Sequence, residues 1–428
     1  MGGFWDIFDN GNVRGKCETN FFHIYVYDDL PEIKSIDIFG YNDSLKGTFM
    51  HEYLHYIQFV NTIFGISYGT MYNYYFSCCV DYFFKNSNID IPLNILSDNK
   101  ELSDLIKKYK NLKGSESSSI EIDKIEIEPN EIDNANKEKR AIKVKGINSK
   151  TNETESFEFG YLCIVENMAT IFQSFFDKNM QDHSSVPYKI VEIICKNRQI
   201  TDKKMIFSIC LCSLMYHNPA FGFFEILGIL QTNPSYDGIK LYKHLLSAEI
   251  KHKECSSIKE LFHYFIDKYE YNIKTAVCSD LVYYSKVFEN CKLELKNGEN
   301  VLLRLMYETD INSKESIDYL TDFYGFPLIE ANNLTLMAKI PQSNDDGYLD
   351  IANLRGLEMI INRLTNNTQD KKCPMFDKCY GLLYNDEVDN KFEMSLECEN
   401  EQWKKQEKCL MSAALKKYQF NKKTIVQK

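Results

Sequence analysis

His51, Glu52 and His55 lie within the segment His51-Glu52-Tyr53-Leu54-His55, the first chemistry the chain offers. On an α-helix, residues i and i+4 share a face, so both imidazoles can aim a nitrogen at one metal ion. Glu52 projects toward the same side, where a carboxylate can take a proton from a metal-activated water without itself being a ligand. Zinc suits such a donor set and lowers the pKa of a coordinated water to roughly 7, which points to hydrolysis at neutral pH. The chain has eight histidines, so a chance match to this pattern arises on the order of once in a hundred such sequences. The uncharged, bulky flanks Phe49, Met50, Tyr53, Leu54, Tyr56 and Ile57 suit a helix buried beneath a cleft.

Catalytic zinc takes three protein ligands and keeps one position for water. Glu166 is the favoured third ligand. It is the only charge in the run YLCIVENMATIFQSFF (161–176), and a carboxylate in so apolar a helix is costly unless paired or metal-bound. Ala169, one turn on, is small enough for close packing against the histidine helix. Glu225, alone in AFGFFEILGIL, makes the same argument and is the rival. Hydrolysis of a carbonyl compound also needs a donor for the developing oxyanion. His217, at the helix break Tyr216-His217-Asn218-Pro219, is a candidate, with Tyr216 beside it. Cys373, Cys379, Cys398 and Cys409 crowd the C-terminal part, where four thiolates could hold a second, structural metal. Their spacing lacks a tight CxxC knuckle, and ordinary reduced thiols are the alternative.

An HExxH helix followed by a later helix bearing a glutamate and a small residue resembles the gluzincin, thermolysin-like type of zinc peptidase. The resemblance rests on two short motifs. It implies one catalytic zinc held by His51, His55 and Glu166, Glu52 as general base, and a protein or peptide as substrate. Thr170 stands where those enzymes place an Asp that orients the first histidine. A scaffold that binds without turnover, or a zinc hydrolase acting on another bond, could carry the same motif.

The elements that must position these residues read as α+β, mainly helical: a zincin-like core with a small N-terminal sheet and a helical lobe. Segments 21–27 and 34–39 are aromatic and β-branched, as strands are. Asp43 or Ser44 can cap a helix running through the histidines to near Gly65, followed by a second helix over 69–86. Polar, charged 97–140 reads as an insertion or mobile loop, with Ile120, Ile122, Ile125 and Ile127 alternating within it. Segments 141–147 and 155–160 form a hairpin in which Ile142 and Val144 share a face with Phe157 and Phe159. Two buried helices, 205–216 and 219–230, meet at Asn218 as cap and Pro219 at the first helical position. Residues 1–364 then form one metallopeptidase domain, 365–372 a linker and 373–428 a cysteine-bearing tail.

The chain has 428 residues and is 44% hydrophobic and 14% aromatic, the composition of a folded protein. Its net charge of −11 argues against nucleic acid and against an anionic membrane surface as partners. The start lacks the basic and apolar regions of a secretory signal, and the fourteen cysteines sit partly inside apolar runs. Both features are expected of a cytoplasmic protein.

Overall fold

The computed structural model describes residues 15–27, 40–250, 252, 254–331, 335–336, 338–343, 345–365, 372–373, 396–405 and 409–427. With 61% of the described residues in helix and 11% in strand, the chain is α+β and mainly helical, as its sequence leads one to expect. It forms two compact units, each assembled from separate stretches: 1–70, 105–269 and 282–348 in the first, and 71–104, 270–281 and 349–428 in the second.

The first unit opens with β1 (Gly15–Glu18) and β2 (His23–Val26), antiparallel with Gly15 opposite Val26. The expected strand over 34–39 lies outside the described residues. Helix α1 (Asp43–Val60) is capped by Asn42, whose side chain accepts from the Leu45 N–H at 2.9 Å. The cap thus falls one residue ahead of Asp43, because the Asn carbonyl reaches the orphan N–H groups of the first turn.

The same helix stops at Val60, short of Gly65. Thr62 Oγ1 accepts from the Gly65 N–H at 3.1 Å and starts α2 (Ile63–Lys85), earlier than the expected 69. A Cβ at Gly65 would lie 2.4 Å from the Phe59 carbonyl oxygen, so the corner between the helices needs glycine there.

After β3 (Asn88–Ile91) and α3 (Ile95–Asp98), the stretch read as an insertion or mobile loop folds into α4 (Lys100–Lys113), β4 (Lys124–Glu126) and α5 (Glu131–Glu138). The physical reason is a buried stripe of Leu102, Ile106, Tyr109 and Leu112 at helical spacing, set among the lysines that make the segment look solvated. The hairpin is formed as expected. β5 (Ile142–Ile147) and β6 (Thr154–Phe159) pair with Val144 opposite Phe157 and Ile142 opposite Phe159, and β4 adds to β5.

Helix α6 (Tyr161–Phe176) follows directly and is buried along most of its length. Helices α7 (Ile190–Asn197), α8 (Lys203–Ser213) and α9 (Pro219–Thr232) come next, with Asn218 and Pro219 in the roles read from sequence. Helices α10 (Gly238–Ser247), α11 (Ile258–Val277), α12 (Val282–Asn297), α13 (Val301–Glu308) and α14 (Lys314–Tyr324) lead to β7 (Leu328–Ala331) and β8 (Thr335–Leu336). β7 runs parallel to β2, which gives the sheet order β1-β2-β7-β8. Among the described residues, no helix is long and apolar enough to cross a membrane.

In the second unit β3 pairs in parallel with β9 (Thr424–Gln427), and Phe83 packs on Phe420 at 5.1 Å. Helix α15 (Tyr348–Thr365) belongs here as well. Of the expected linker, residues 366–371 lie outside the described residues.

Candidate metal centre

Helix α1 presents His51 and His55 on one face, their ring centroids 4.9 Å apart and their planes at 82°. Helix α6 packs along that face. Gly47, one turn before His51, makes room for it: a Cβ there would lie 2.7 Å from Asp177 Cβ and 3.3 Å from Gln173 Cγ. Ala169 is fully buried. The packing brings Glu166 Oε2 to 3.5 Å from His51 Nε2 and 3.6 Å from His55 Nε2. Donor atoms in a tetrahedron with bonds of about 2.0–2.1 Å lie roughly 3.3–3.5 Å apart, so this spacing fits a zinc ion.

The outer nitrogens of both imidazoles are engaged. His51 Nδ1 lies 3.1 Å from Gln173 Oε1, and His55 Nδ1 lies 2.9 Å from Gln58 Oε1. Gln58 is itself fixed to α6, its Nε2 donating to the Val165 carbonyl at 3.1 Å. An acceptor at Nδ1 holds the proton there and leaves the Nε2 lone pair free for a metal. Gln173, two turns beyond Glu166, therefore orients the first histidine. Thr170 does not, since its hydroxyl donates to the Glu166 backbone carbonyl at 2.9 Å.

The electrostatics of the cluster favour a cation. Burial works to raise the Glu166 pKa, but the charge of His55 and hydrogen bonds from both histidines outweigh it and hold the carboxyl below its usual range. Burial works to lower the His55 pKa, and Glu166, with help from Glu52 and Gln58, reverses that and pushes it up to about 9.

Glu52 is buried at 6% exposure beside the cluster. Its pKa is raised, first by burial and also by Glu166, against the opposing pull of the two histidines. β1 lies against it: a Cβ on Gly15 would sit 2.7 Å from Glu52 Cγ and 2.9 Å from Oε1. Gly15 is thus part of the site, and the only signal for it in the sequence is a glycine where a strand begins.

The other candidates fall elsewhere. Glu225, the rival ligand, is exposed on α9, so the argument from a buried carboxylate does not apply to it. His217 packs its ring on Phe265 at 5.2 Å, and the charges that reach it are Lys108, His252 and Lys139, none of them at the centre. Burial, then Glu225 and Cys212, push the Tyr216 hydroxyl up to about 12, and its ring packs against Gly222.

The other histidine on which the charges of the cluster act is His183, in the segment between α6 and α7. Its pKa is lowered by burial and then by the charge of His51, while Glu166 acts on it in the opposite sense. Its ring lies 4.9 Å from that of Tyr188, and its Nε2 is buried without a hydrogen-bond partner. A polar stretch, Asn179-Met-Gln-Asp-His-Ser-Ser, hides it in the sequence as loop.

Among the described residues, His51, His55 and Glu166 are the only group of three His, Cys, Asp or Glu side chains that could hold one metal ion, their ligand atoms within 4.8 Å of one another. Cys373, Cys398 and Cys409 form no such group. The Cys373 N–H donates to the Cys398 carbonyl at 2.7 Å, Lys405 Nζ lies 3.0 Å from Cys398 Sγ, and Cys409 Sγ caps the helix Leu410–Lys417. Cys379 lies outside the described residues. The chain matches no family model, no curated protein and no solved structure.

Proposed function

We propose that this chain is a zinc-dependent peptidase of the gluzincin type, acting on a protein or peptide substrate. The observation that carries the reading is the convergence of His51 Nε2, His55 Nε2 and Glu166 Oε2 within 3.6 Å contacts, next to a buried Glu52 that is not one of the three. A small sheet, then an HExxH helix, then a packed helix bearing the glutamate is the order a zincin-like core requires, which supports the same conclusion. A cytoplasmic setting agrees with the cysteines, none of which is paired in a disulfide among the described residues.

Held by His51, His55 and Glu166, a zinc ion would supply Lewis acidity toward water and the scissile carbonyl. The chain's own residues do the rest. Gln173 and Gln58 fix the two imidazoles by their Nδ1 atoms. Glu52, its pKa raised by burial, takes the proton from the attacking water and can return it to the leaving amine. Gly15, having no side chain, leaves room for that carboxylate. His183, on which the charges of His51 and Glu166 act, is the side chain we assign as donor to the oxyanion.

Metal analysis of the purified protein alongside hydrolysis of an unfolded protein substrate tests the reading. The parent is expected to hold about one zinc at the centre and to cleave. His51→Ala, His55→Ala and Glu166→Ala are each expected to lose that zinc and the activity. Zinc with no cleavage of a broad peptide library would instead indicate a binding scaffold or a hydrolase of another bond.

A further inference from the structure

The second unit holds a cavity of about 910 Å³, built from its C-terminal part. Its walls come from the 3₁₀ turn Gln402–Lys404, the helix Leu410–Lys417, the 3₁₀ turn Phe420–Lys422 and the start of β9. The volume falls within the roughly 300–1,000 Å³ of small-molecule sites.

The sequence concentrates positive charge on these walls. Between Trp403 and Thr424 stand seven lysines and one glutamate, in a chain of net charge −11. Lys404, Lys405, Lys416 and Lys423 line the cavity, and Glu401 is the one carboxylate among the described residues that do. Glu401 pairs with Lys404 at 2.7 Å in an exposed position. Such a pair is weak and does not tie up the ammonium group. Two of the other lysines are fixed in place. Lys405 is 7% exposed, its Nζ 3.0 Å from Cys398 Sγ, and Lys423 Nζ donates to the Asn86 carbonyl at 2.8 Å. A cleft lined by charges of one sign and walled by protein focuses their field on whatever enters it.

An aromatic surface stands beside the lysines. Trp403 is half-buried and lines the same cavity, with the Arg363 guanidinium of α15 5.6 Å from its ring centroid. Arg363 Nε donates to Gln402 Oε1 at 3.0 Å, and Gln402 Nε2 donates to the Cys398 carbonyl at 2.9 Å. The indole is thus braced from α15 in advance, which lowers the ordering cost of binding. Leu415, Phe420 and Ile425 complete an apolar wall.

We propose that this cavity binds a small molecule bearing both an aromatic ring and phosphate, a mononucleotide in chemical class, with its ring on Trp403 and its phosphate on the lysines. Ammonium groups bind phosphate as point charges, and every nucleobase offers a π-face to an indole. The size of the cavity and the negative charge of the chain favour a small molecule over a nucleic-acid strand, whose backbone needs many phosphates neutralised. The site shares no residue with the metal centre and is independent of the peptidase reading.

The chain has two tryptophans, so Trp5→Phe leaves Trp403 as the sole indole reporter. The test titrates the full chain carrying that change with ADP at constant ionic strength, read by indole fluorescence, with calorimetry of the parent alongside. Saturable quenching is expected, at the affinity that calorimetry gives. Lys404 and Lys416 are both exposed, so Lys404→Met and Lys416→Met combined should leave thermal unfolding unchanged and weaken ADP binding at least tenfold. Adenosine and inorganic phosphate should each bind at least tenfold more weakly than ADP, since each makes only part of the contacts. Absence of saturable quenching, undiminished affinity in the combined variant, or adenosine or phosphate binding as tightly as ADP would overturn the assignment.

Discussion

Gln58 and Gln173 set how well the two histidines are aimed, because each holds an imidazole by its Nδ1. Removing such an outer partner typically costs about 10–100-fold in metal affinity. Gln173→Ala is therefore expected to weaken zinc binding by that factor, measured by competition with a chelator, whereas Thr170→Ala should leave it unchanged. Gly15→Ala forces a Cβ to within 2.7 Å of Glu52. Displacing a catalytic group by about 1 Å costs on the order of 10²-fold in rate, so kcat should fall with zinc content preserved. His183→Ala should lower kcat by about 10²–10³-fold, the typical cost of losing an oxyanion donor, again with zinc retained; an unchanged kcat would remove His183 from the mechanism. That His51 and His55 share a helix face and that Glu166 is buried could be read from the sequence, because a helical repeat and a lone charge in an apolar run are local signals. Gly15, Gln173 and His183 could not, since each owes its place to a contact between segments far apart in the chain.

At the scale of elements, the corner between α1 and α2 sets where the histidine helix ends. Thr62 caps the second helix, and Gly65 lets the Phe59 carbonyl approach to 2.4 Å of where a Cβ would stand. Gly65→Ala places a methyl group against backbone that cannot swing aside, and overpacking of this kind costs about 1–3 kcal/mol. The midpoint of urea unfolding should fall accordingly, and an unchanged midpoint would show the corner to be adaptable. The sequence showed one apolar stretch running from the histidines toward Gly65, because no charge or proline marks the break at Asn61 and Thr62. The amphipathic α4 was hidden for the opposite reason: lysines surround its four buried residues and dominate the composition. The β5–β6 hairpin was legible to the residue pair, because its alternation and its turn specify the same register.

Across the whole molecule, a buried carboxylate away from the metal centre couples the fold to pH. Glu294 is buried at 4% exposure and accepts from the Tyr324 hydroxyl at 2.9 Å and from the Val301 N–H. The Tyr324 hydroxyl in turn accepts from Asn61 Nδ2 at 2.8 Å, next to the end of α1. Burial, working against these hydrogen bonds, pushes the Glu294 pKa up from 4.5 to about 8. The folded state therefore holds a proton that the unfolded chain releases above about 4.5. Its contribution to stability is complete below that pH and is lost as pH rises to about 8, by on the order of a few kcal/mol. Glu294→Gln should flatten the fall in unfolding temperature between pH 5 and pH 8 that the parent is expected to show; a parallel fall in both would exclude this group as its source. The charge of −11 and the mainly helical composition were plain from the sequence, but this network, joining residues 61, 294, 301 and 324, was not. The most direct test of the peptidase reading lies at Glu52. Glu52→Gln keeps side-chain size and leaves His51, His55 and Glu166 in place, and removes only the carboxylate proposed to accept the proton. Hydrolysis of an unstructured protein substrate should fall by at least about 10²–10⁴-fold, with zinc content and thermal stability near those of the parent. An active parent and an equally active Glu52→Gln variant would contradict the account.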